Sequence, residues 1–413
     1  MTPATRRGRR SPDVIVVGGG VTGTSIAWRL AQSGRRVLLL EQRGICSGAS
    51  GRNGGMTGAG SSMHASSRTG RAVYALTTAN LCALLSLPDE LDTDFELRMT
   101  GTMDVITTDE QMAHLQTAVA AEREAGIAIE LVDRDAAREI MPALTTNILG
   151  AAYAPDRGHL WPFALVTGIA AAAARHGAEI RTGTAVSRLA RSGDRVRGVV
   201  ADGETIEADE VVLATNAWTP RLLPDLPRGA IVPARGQILV TQPLPPLLAC
   251  PFGTNFDKEY GRQTPGGQIL CGGYRRLDEN EGLGTYREET TIPVLAGIAR
   301  CLTDLFPGLR GKARVVRAWS GIMGFTADGL PLIGRYDPAP GLTLAAGFNG
   351  GGFSWGVVVG LVVARLLNGE EPGFDLDPFR PARFHDAAVT WANPFTAGEK
   401  NNPRAADALA GTA

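Results

Sequence analysis

Residues 13–23 read DVIVVGGGVTG, in which four β-favouring apolar residues run directly into the glycines Gly18, Gly20 and Gly23. An amphipathic run over residues 26–31 follows and predicts a helix. In a strand, tight turn and helix of this kind, the first glycine permits the turn and the second lets the backbone approach a phosphate. The third lets helix and strand pack closely. Because N–H groups at a helix N-terminus attract anions, the stretch predicts a site for a dinucleotide pyrophosphate.

An acidic residue ends the next predicted strand. Residues 37–40 are apolar, and Glu41 follows them. It stands about 20 positions beyond the glycines, where a carboxylate accepts hydrogen bonds from the two hydroxyls of a ribose. Glycines alone are also typical of a purely structural turn, but the flanking strands and Glu41 favour dinucleotide binding. The pattern leaves the choice between FAD and NAD open.

The composition is that of a globular protein with room for two domains or one interleaved pair. Of 413 residues, 44% are hydrophobic and 20% are charged, and the net charge is −1. So small a net charge provides no large attraction to nucleic acid or to an anionic membrane. No run of ~18 uninterrupted apolar residues occurs, so we expect no transmembrane helix and a cytoplasmic location.

The two termini and the cysteines predict neither an export signal nor a metal site. Residues 1–12 are basic and predict a flexible leader, because no apolar segment with a cleavage site follows the paired arginines, as an export signal would require. Residues 385–413 predict a loosely held extension. The five cysteines are scattered and lack C-x-x-C spacing. This favours a reducing compartment and argues against a structural zinc site, and we expect no metal.

A loop with almost no side-chain bulk follows Glu41. Residues 46–56 read CSGASGRNGGM and cannot form a packed core element. One interpretation is a flexible surface loop. The other, favoured by its position after the Glu41 strand, is a loop whose backbone lies against a flat ligand, with Ser50 and Asn53 making short polar contacts.

A second glycine-rich turn lies more than 300 residues beyond the first. Residues 343–352 read TLAAGFNGGG, a strand that ends in glycines, and a helix is predicted over residues 353–367. Its N-terminus would face an electron-rich ligand group. Residues 210–218 form an apolar run typical of a buried parallel strand, and a ligand lies beyond the carboxyl end of such strands.

The pattern of predicted strands and helices along the chain predicts two interleaved domains. The opening βαβ unit belongs to residues 13–90, and the same domain is expected to resume at residues 145–230, where residues 153–158 are turn-rich, and at residues 317–384. Segments 91–144 and 231–316 have a different pattern of β-rich and helical stretches and are expected to form the second domain.

Several stretches together resemble one family. The residues that carry the likeness are the opening glycine turn with Glu41, Ser47–Met56, Ala214–Trp218, Pro233–Gln237, Trp319–Gly321, Thr326–Gly334 and Gly347–Phe353. In this order and spacing the chain resembles the D-amino acid oxidase-like family of FAD-dependent amine oxidoreductases, which includes glycine oxidase and sarcosine oxidase. The form of residues 51–55 is most similar to the γ-glutamylputrescine oxidase branch.

The resemblance implies an α/β fold: a doubly wound, Rossmann-like FAD-binding domain interleaved with an α+β substrate domain on a mainly antiparallel sheet. The flavin ring would lie between the domains, and residues 349–353 would hydrogen-bond its pyrimidine side. The residues expected to bind FAD are Gly18, Gly20, Val21, Thr22, Gly23, Glu41, Gln42, Ser50, Arg52, Asn53, Gly54, Gly55, Val186, Ala214, Asn216, Trp218, Gly321, Gly347, Asn349, Gly350, Gly351, Gly352 and Phe353.

The implied reaction is oxidation of a C–N bond in a small amine or amino acid. A neutral amine gives hydride to flavin N5, and water hydrolyses the resulting imine, so no catalytic histidine or cysteine is required. An oxidase would pass the electrons to O2. One alternative is a dehydrogenase, alone or as a subunit of a complex, that passes the electrons to a quinone or a partner. The other is a flavin-binding protein without turnover. Nucleic acid is not an expected partner, and the oligomeric state is left open.

One departure from the family pattern bears on the substrate. Glycine oxidase-like members carry an arginine for the substrate carboxylate where this chain has Met323, and an apolar side chain cannot make that contact. Arg52, Arg262, Arg275 or Arg276 could substitute. Arg262 is favoured because the segment from Tyr260 to Arg262 matches a strand that faces the active site, although it could be a surface charge. Tyr260, Arg262, Met323 and Arg52 are therefore the expected catalytic set.

Two further family features are missing. Relatives attach flavin covalently through a cysteine near residues 319–323 or through a histidine in the loop of residues 46–56, here called the early loop. This chain has no cysteine at the first place and Arg52 at the second, so we expect noncovalent FAD. The lysine used by some relatives for oxygen matches a position near Cys271, and the chain has only Lys258, Lys312 and Lys400. His64 is a weak candidate for the substrate cavity.

Overall fold

The computed structural model describes residues 11–59, 67–254, 259–385 and 388–392. In these ranges the helices are α1 (Val21–Gln32), α2 (Arg68–Leu91), α3 (Asp109–Glu124), α4 (Arg134–Ile140), α5 (Pro162–Arg175), α6 (Thr219–Leu222), α7 (Ile292–Leu305) and α8 (Gly356–Leu367). The strands are β1 (Val14–Val17), β2 (Val37–Leu40), β3 (Met56–Thr57), β4 (Thr102–Ile106), β5 (Glu130–Asp133), β6 (Gly150–Ala154), β7 (Gly158–His159), β8 (Glu179–Arg181), β9 (Val186–Ser192), β10 (Arg195–Ala201), β11 (Glu204–Glu207), β12 (Glu210–Leu213), β13 (Ile231–Pro243), β14 (Phe252–Thr254), β15 (Glu259–Gln263), β16 (Gln268–Gly272), β17 (Val315–Thr326), β18 (Leu332–Arg335) and β19 (Leu342–Ala346).

A six-stranded sheet brings three distant chain segments to one edge. Its order is β18-β19-β12-β1-β2-β8, parallel except for the β18 edge. In register, Val17 is paired with both Leu40 and Leu213. The residues that follow these strand ends are Gly18, Glu41 and Ala214, so they emerge side by side. Parallel pairing thus explains why the glycine turn and the acidic residue share one site.

The two faces of this sheet are covered differently. Val14 and Val16 on β1 pack in one apolar cluster with residues of α1, α5 and α8. Ile15 and Val17 point the other way, into a cluster with the three-stranded antiparallel sheet β11-β10-β9. This alternation is the period-two pattern of a strand buried on both faces.

A larger sheet carries the opposite wall of the site. Its order is β17-β13-β16-β15-β14-β4-β6-β5, antiparallel except for the β14–β4 pair. The two longest strands, β13 and β17, pair from Ile231 opposite Thr326 to Thr241 opposite Val315. Helix α7 packs on this sheet through a core that includes Ile298, Leu302 and Phe306. The predicted α/β fold, with a second, mainly antiparallel sheet, is confirmed.

At two points the chain stays in the larger sheet for longer than the sequence predicts. Residues 150–154 form β6 and pair with β4 and β5, although the first domain was expected to resume at residue 145 and residues 153–158 to be turn-rich. Likewise β17 extends the larger sheet to Thr326, beyond the expected boundary at 317. Glycine and alanine, which form most of β6, have low β propensity, so only the tertiary pairing reveals this strand. The division into domains remains a prediction.

Some expectations fall outside the described residues: most of the leader, most of the extension after residue 385, His64, Lys258 and Lys400. Among the helices that the structure describes, none combines the length and the hydropathy needed to cross a membrane.

Candidate active site

A cavity of about 1060 Å³ lies where the carboxyl edge of the six-stranded sheet meets the eight-stranded sheet. Most of the residues expected to bind FAD line it, together with Tyr260 and Met323. Four residues of the expected set do not line the cavity: Gly23, Gly55, Gly347 and Arg262. The first three are glycines that shape the adjoining backbone, whereas Arg262 has a different role that is described below.

The first glycine turn has the shape of an anion cradle. Gly18 has a φ of +112°, and a β-carbon there would lie 2.6 Å from the carbonyl oxygen of Ala214. A β-carbon on Gly23 would lie only 1.9 Å from the carbonyl oxygen of Gly18. Helix α1 then begins without a side-chain cap at Gly20 and without an acidic residue in its first turn. These features fit a pyrophosphate, which would supply the missing negative charge.

Glu41 is held in place by main-chain donors. Its Oε2 accepts the N–H of Gly19 at 2.8 Å, and its Oε1 accepts the N–H of Arg43 at 2.9 Å. Each carboxylate oxygen has a second lone pair for a further donor. Because Glu41 also lines the cavity, it can accept ribose hydroxyls as expected.

The small-residue loop is held by its own side chains. Asn53 Nδ2 donates to the carbonyl oxygens of Ala49 and Ser50, and its Oδ1 accepts the N–H of Gly55 at 2.7 Å. Ser50 Oγ accepts the N–H of Val21 at 3.0 Å. The interpretation of a flexible surface loop is therefore wrong. Asn53 thus holds the loop itself, and Ser50 ties the loop to the start of α1, so both side chains fix the backbone that lines the cavity.

Two asparagines fix the second glycine loop. Asn349 has a φ of +52°; its Oδ1 accepts the N–H of Thr326 at 2.9 Å and its Nδ2 donates to the carbonyl oxygen of Gly347. Asn216 Oδ1 accepts the N–H groups of Gly347 and Phe348. Both amides thus shape the loop. Contacts of this loop with a flavin would come from the main chain of residues 350–353, which line the cavity.

The helix after this loop begins later than predicted and is capped by a distant residue. Helix α8 starts at Gly356 rather than at residue 353, and its N–H groups at Val357 and Val358 donate to Asn80 Oδ1 at 3.0 and 3.1 Å. Asn80 is fully buried in α2, and its Nδ2 donates to the carbonyl oxygen of Phe353. Asn80 therefore takes two of the N–H groups at this helix end, and a role of the helix N-terminus toward the flavin stays a prediction. No local sequence signal marks Asn80 as the cap of α8.

Arg52 lines the cavity, but its guanidinium is already engaged. Its Nε donates to the carbonyl oxygen of Ser47 at 2.9 Å and its Nη1 to that of Ser320 at 3.1 Å. Glu288 forms an ion pair with it at 3.0 Å. Arg52 thus ties the early loop to β17, and this geometry does not support the expected role as a partner of the substrate.

The sequence favours Arg262 as the arginine that binds the substrate, and this prediction is wrong. Arg262 is 4% exposed and lies beneath the early loop. Its guanidinium donates to the carbonyl oxygens of Gly54 and Leu160 and contacts His159 Nδ1 at 3.1 Å. Burial lowers the pKa of Arg262 to about 10. Its charge is used to hold main-chain carbonyls, not to face the cavity.

His159 is a buried neutral imidazole. Burial, and then the charges of Arg262 and Arg98, lower the pKa of His159 to about 4. The ring accepts from Arg262 through Nδ1, which requires the neutral form. Sequence reasoning missed His159 because its partner is more than 100 residues away in the chain.

The wall of the cavity formed by the larger sheet carries Tyr260 and Met323. A β-carbon on Gly272 would lie 2.8 Å from the hydroxyl oxygen of Tyr260, and one on Gly236 would lie 2.8 Å from Met323 Cε. These two glycines therefore make room for the two side chains. Burial raises the pKa of Tyr260 far above its usual value, so the phenol is neutral.

Met323 also marks the end of the cavity at which the second glycine loop lies. A β-carbon on Gly350 would lie 3.3 Å from Met323 Sδ. Arg275 and Phe325 line the same part of the wall, and the guanidinium carbon of Arg275 lies 4.6 Å from the centroid of the Phe325 ring. Arg276, in contrast, does not line the cavity; its guanidinium lies 5.3 Å from the ring of Tyr274.

The described residues of the cavity include no thiol or amine that could bond to flavin or activate oxygen, and no metal site. Of the described residues that line the cavity, none is a cysteine or a lysine. Cys271 is fully buried, and burial holds its thiol pKa well above the usual value. Nowhere in the described part of the chain do three or more His, Cys, Asp or Glu side chains come together as a metal site would require.

Comparison with known proteins agrees with this geometry. The family model described as FAD dependent oxidoreductase (DAO) matches residues 13–366. The glycine oxidase of Geobacillus kaustophilus is 30% identical over 90% of this chain and 97% of its own length. Its crystal structure superposes with a TM-score of 0.81 at 29% identity, over 90% of this chain and 98% of that one. The structure of L-proline dehydrogenase from P. horikoshii gives a TM-score of 0.82 at 25% identity, over 91% and 98% of the two chains.

Proposed function

Because this chain belongs to the DAO family of FAD-dependent oxidoreductases, we propose that it oxidises the C–N bond of an amine or amino acid and passes the electrons to O2. FAD is the cofactor of this family, which answers the choice that the glycine turn leaves open. The observation that carries the proposal is a single cavity. It joins the pyrophosphate cradle after β1 to the wall that bears Tyr260 and Met323.

Different residues along the cavity would bind different parts of FAD. Residues 18–22 would hold the pyrophosphate, Glu41 the ribose, and the main chain of residues 350–353 the flavin ring. When bound, FAD supplies the two-electron acceptor at N5, and the oxidised C–N bond becomes an imine that water hydrolyses. The chain's own contribution at this step is orientation and exclusion of water.

Tyr260 and Met323 are suited to orienting the substrate and excluding water. A neutral phenol donates and accepts a hydrogen bond without adding charge, and Met323 and Phe325 present apolar surface to the cavity. Apolar walls favour the neutral amine, the form that can give up hydride, over the ammonium ion. No general acid or base is needed in this scheme.

A dehydrogenase is the second candidate, and two observations favour it. One structural relative is named L-proline dehydrogenase, and no lysine stands among the described cavity-lining residues. A flavoprotein without turnover is the third candidate.

The experiment that separates these functions starts with the purified yellow protein under anaerobic conditions. A panel of amines and amino acids is added, and the visible flavin band is followed before and after air is admitted. Bleaching, followed by rapid recovery in air with formation of hydrogen peroxide, supports the oxidase. Bleaching that persists in air but yields to an artificial electron-accepting dye supports the dehydrogenase. If no compound bleaches the flavin, the proposal fails.

A further inference from the structure

We propose that residues 285–290, here called the strap, close over the pyrophosphate cradle, and that FAD enters and leaves only when the strap opens. The strap belongs to the connection between β16 and α7, on the side of the larger sheet. Its role concerns exchange of the cofactor, whichever substrate the enzyme oxidises. Three features of the structure support this role.

The first feature is a pair of strap side chains that reach across to the cavity wall, and one of them is Glu288. Arg43 Nη1 donates to both carboxylate oxygens of Glu288, at 3.0 and 2.8 Å, and Arg52 Nη1 lies 3.0 Å from Oε2. Both arginines line the cavity. Although burial alone would raise it, the hydrogen bonds and charges of these arginines hold the pKa of Glu288 below its usual value. The carboxylate is therefore charged at neutral pH.

Tyr286 is the second of these side chains. Its hydroxyl donates to the carbonyl oxygen of Ala217 at 2.9 Å, and the guanidinium carbon of Arg221 lies 3.8 Å from the centroid of its ring. Between the two contact residues, the side chain of Arg287 is 77% exposed. Tyr286 and Glu288 thus lie on one side of the strap and Arg287 on the other, the alternation of an extended chain.

The second feature is the order of the strands beneath these contacts. In the six-stranded sheet β1 lies between β12 and β2, and the three strands end at one level. Tyr286 contacts the segment that follows β12, and Glu288 contacts Arg43 after β2. The strap therefore crosses the sheet edge above the end of β1, where the cradle begins at Gly18. Two strand spacings amount to about 10 Å, which three residues and their side chains can span.

The third feature is that the ends of the strap are fixed to β13 whereas its middle is not. Before the strap, the N–H of Gly284 donates to the carbonyl oxygen of Pro233 at 2.9 Å. After it, Gln237 Oε1 accepts the N–H of Thr291 at 2.7 Å, and Gln237 Nε2 donates to Thr291 Oγ1 at 3.1 Å. Among the described residues, none forms a main-chain hydrogen bond with the main chain of residues 285–290.

These features together make opening a local event. The middle of the strap is held by ion pairs and ring contacts, which are individually weak at a partly exposed site. Breaking them leaves both sheets and the two anchored ends intact, so the strap can open without unfolding of either domain. The rate at which FAD leaves should therefore depend on Glu288 and on Tyr286.

Release of FAD from the holoenzyme tests this role without any substrate. The yellow holoenzyme is diluted, free FAD is removed by rapid desalting at intervals, and the flavin that remains per protein gives the release rate. In Glu288→Gln, which keeps the size of the side chain and removes its charge, we expect release to be about fivefold faster. Tyr286→Ala, which removes the contacts on the other side of the cradle, should release FAD about tenfold faster.

The ion pairs also predict a dependence on salt. Between about 0.05 and 0.5 M sodium chloride, screening weakens the attraction of Glu288 to the two arginines, so release from the parent enzyme should become faster. Release from Glu288→Gln should respond less, because one partner of each ion pair is already uncharged. An equal response of the two proteins to salt would contradict the role of the ion pairs in closing the strap.

Glu289→Gln is the matched control, since it makes the same change at the neighbouring residue. The ion pairs of Glu289 are with Arg235 and Arg287, each at 3.6 Å, and neither arginine lines the cavity. This variant should release FAD like the parent enzyme.

Two results would overturn the role of the strap. Equal release rates for the parent, Glu288→Gln and Tyr286→Ala would do so, even if the variants melt at a lower temperature, because the contacts would then serve only the fold. Slower release from Glu288→Gln would do so as well, because the arginines freed from Glu288 would then hold the anionic cofactor more tightly than a closed strap does. Neither result depends on oxidation of an amine, so the proposed function is tested separately.

Discussion

Buried side chains at this site can hold backbone instead of facing the cavity. Arg262 was expected to bind the substrate, yet it donates to the carbonyl oxygens of Gly54 and Leu160, and His159 accepts a hydrogen bond from it. A residue's type indicates what chemistry it can perform. Only the contacts of that residue show whether its side chain serves a ligand or stabilises the fold.

His159 makes stability dependent on pH. Its pKa is about 4 in the folded protein and 6.5 in an unfolded chain, so the unfolded state binds more protons between these values. The contribution of neutral His159 is complete above pH 6.5 and is lost as the pH falls toward 4. We expect this to amount to about 3 kcal/mol in the free energy of unfolding.

The measurement is urea unfolding of the parent and of His159→Gln across this pH range. Glutamine can still accept from Arg262 but does not titrate, so its stability should fall less steeply as the pH is lowered. Parallel pH profiles for the two proteins would show that His159 does not titrate as described.

Gly23 should be intolerant of even one added carbon. In Gly23→Ala the new β-carbon would meet the carbonyl oxygen of Gly18 at 1.9 Å, so α1 must move away from the turn that cradles the pyrophosphate. We expect FAD content to fall to about a tenth or less, a loss in line with a misplaced anion site. Gly44→Ala is the control, because a β-carbon there meets nothing within 4 Å. Flavin absorbance per protein, measured after purification, compares the two.

At the level of elements, the sequence predicts what is local. The βαβ unit, the antiparallel meander β9–β11 and α7 follow from periodicity and turn residues within each segment. Strand β6 and the start of α8 were mispredicted because pairing with β4 and capping by Asn80 decide them. These contacts join segments that are distant in the chain, which a local pattern does not record.

Asn80 connects two helices and the second glycine loop, so its removal should affect stability and flavin together. Asn80→Ala would leave buried N–H groups at Val357 and Val358 and the carbonyl oxygen of Phe353 without this partner. We expect the free energy of unfolding to fall by about 3 kcal/mol and FAD to bind more weakly. Asn368→Ala, at the other end of α8, is the control. Unchanged FAD affinity in Asn80→Ala would contradict a link between this cap and the cofactor loop.

Over the whole molecule, parallel register explains the success of the cofactor prediction. Val17, Leu40 and Leu213 end at one level of the sheet, so the motifs that follow them must converge. The choice among arginines could not be predicted in the same way. It depends on how β15, β16 and the turn after Gly272 fold against β17, and on which carboxylates reach each guanidinium.

We also expect the FAD to be noncovalent, since no described cavity-lining residue is a cysteine and the early loop carries Arg52 where relatives use histidine. Acid precipitation should leave the yellow colour in the supernatant. Colour that stays with the washed pellet would mean a covalent bond.

The claim that the chain oxidises a C–N bond is tested most directly by a single anaerobic turnover. The FAD-loaded enzyme is mixed with the amine or amino acid that bleaches it, and the oxidised product is quantified against bound flavin: a carbonyl compound with released ammonia or amine, or the cyclic imine and its ring-opened form when the substrate is a ring amine. One equivalent of oxidised product per flavin is the predicted result. Bleaching without any imine or carbonyl product would contradict C–N oxidation.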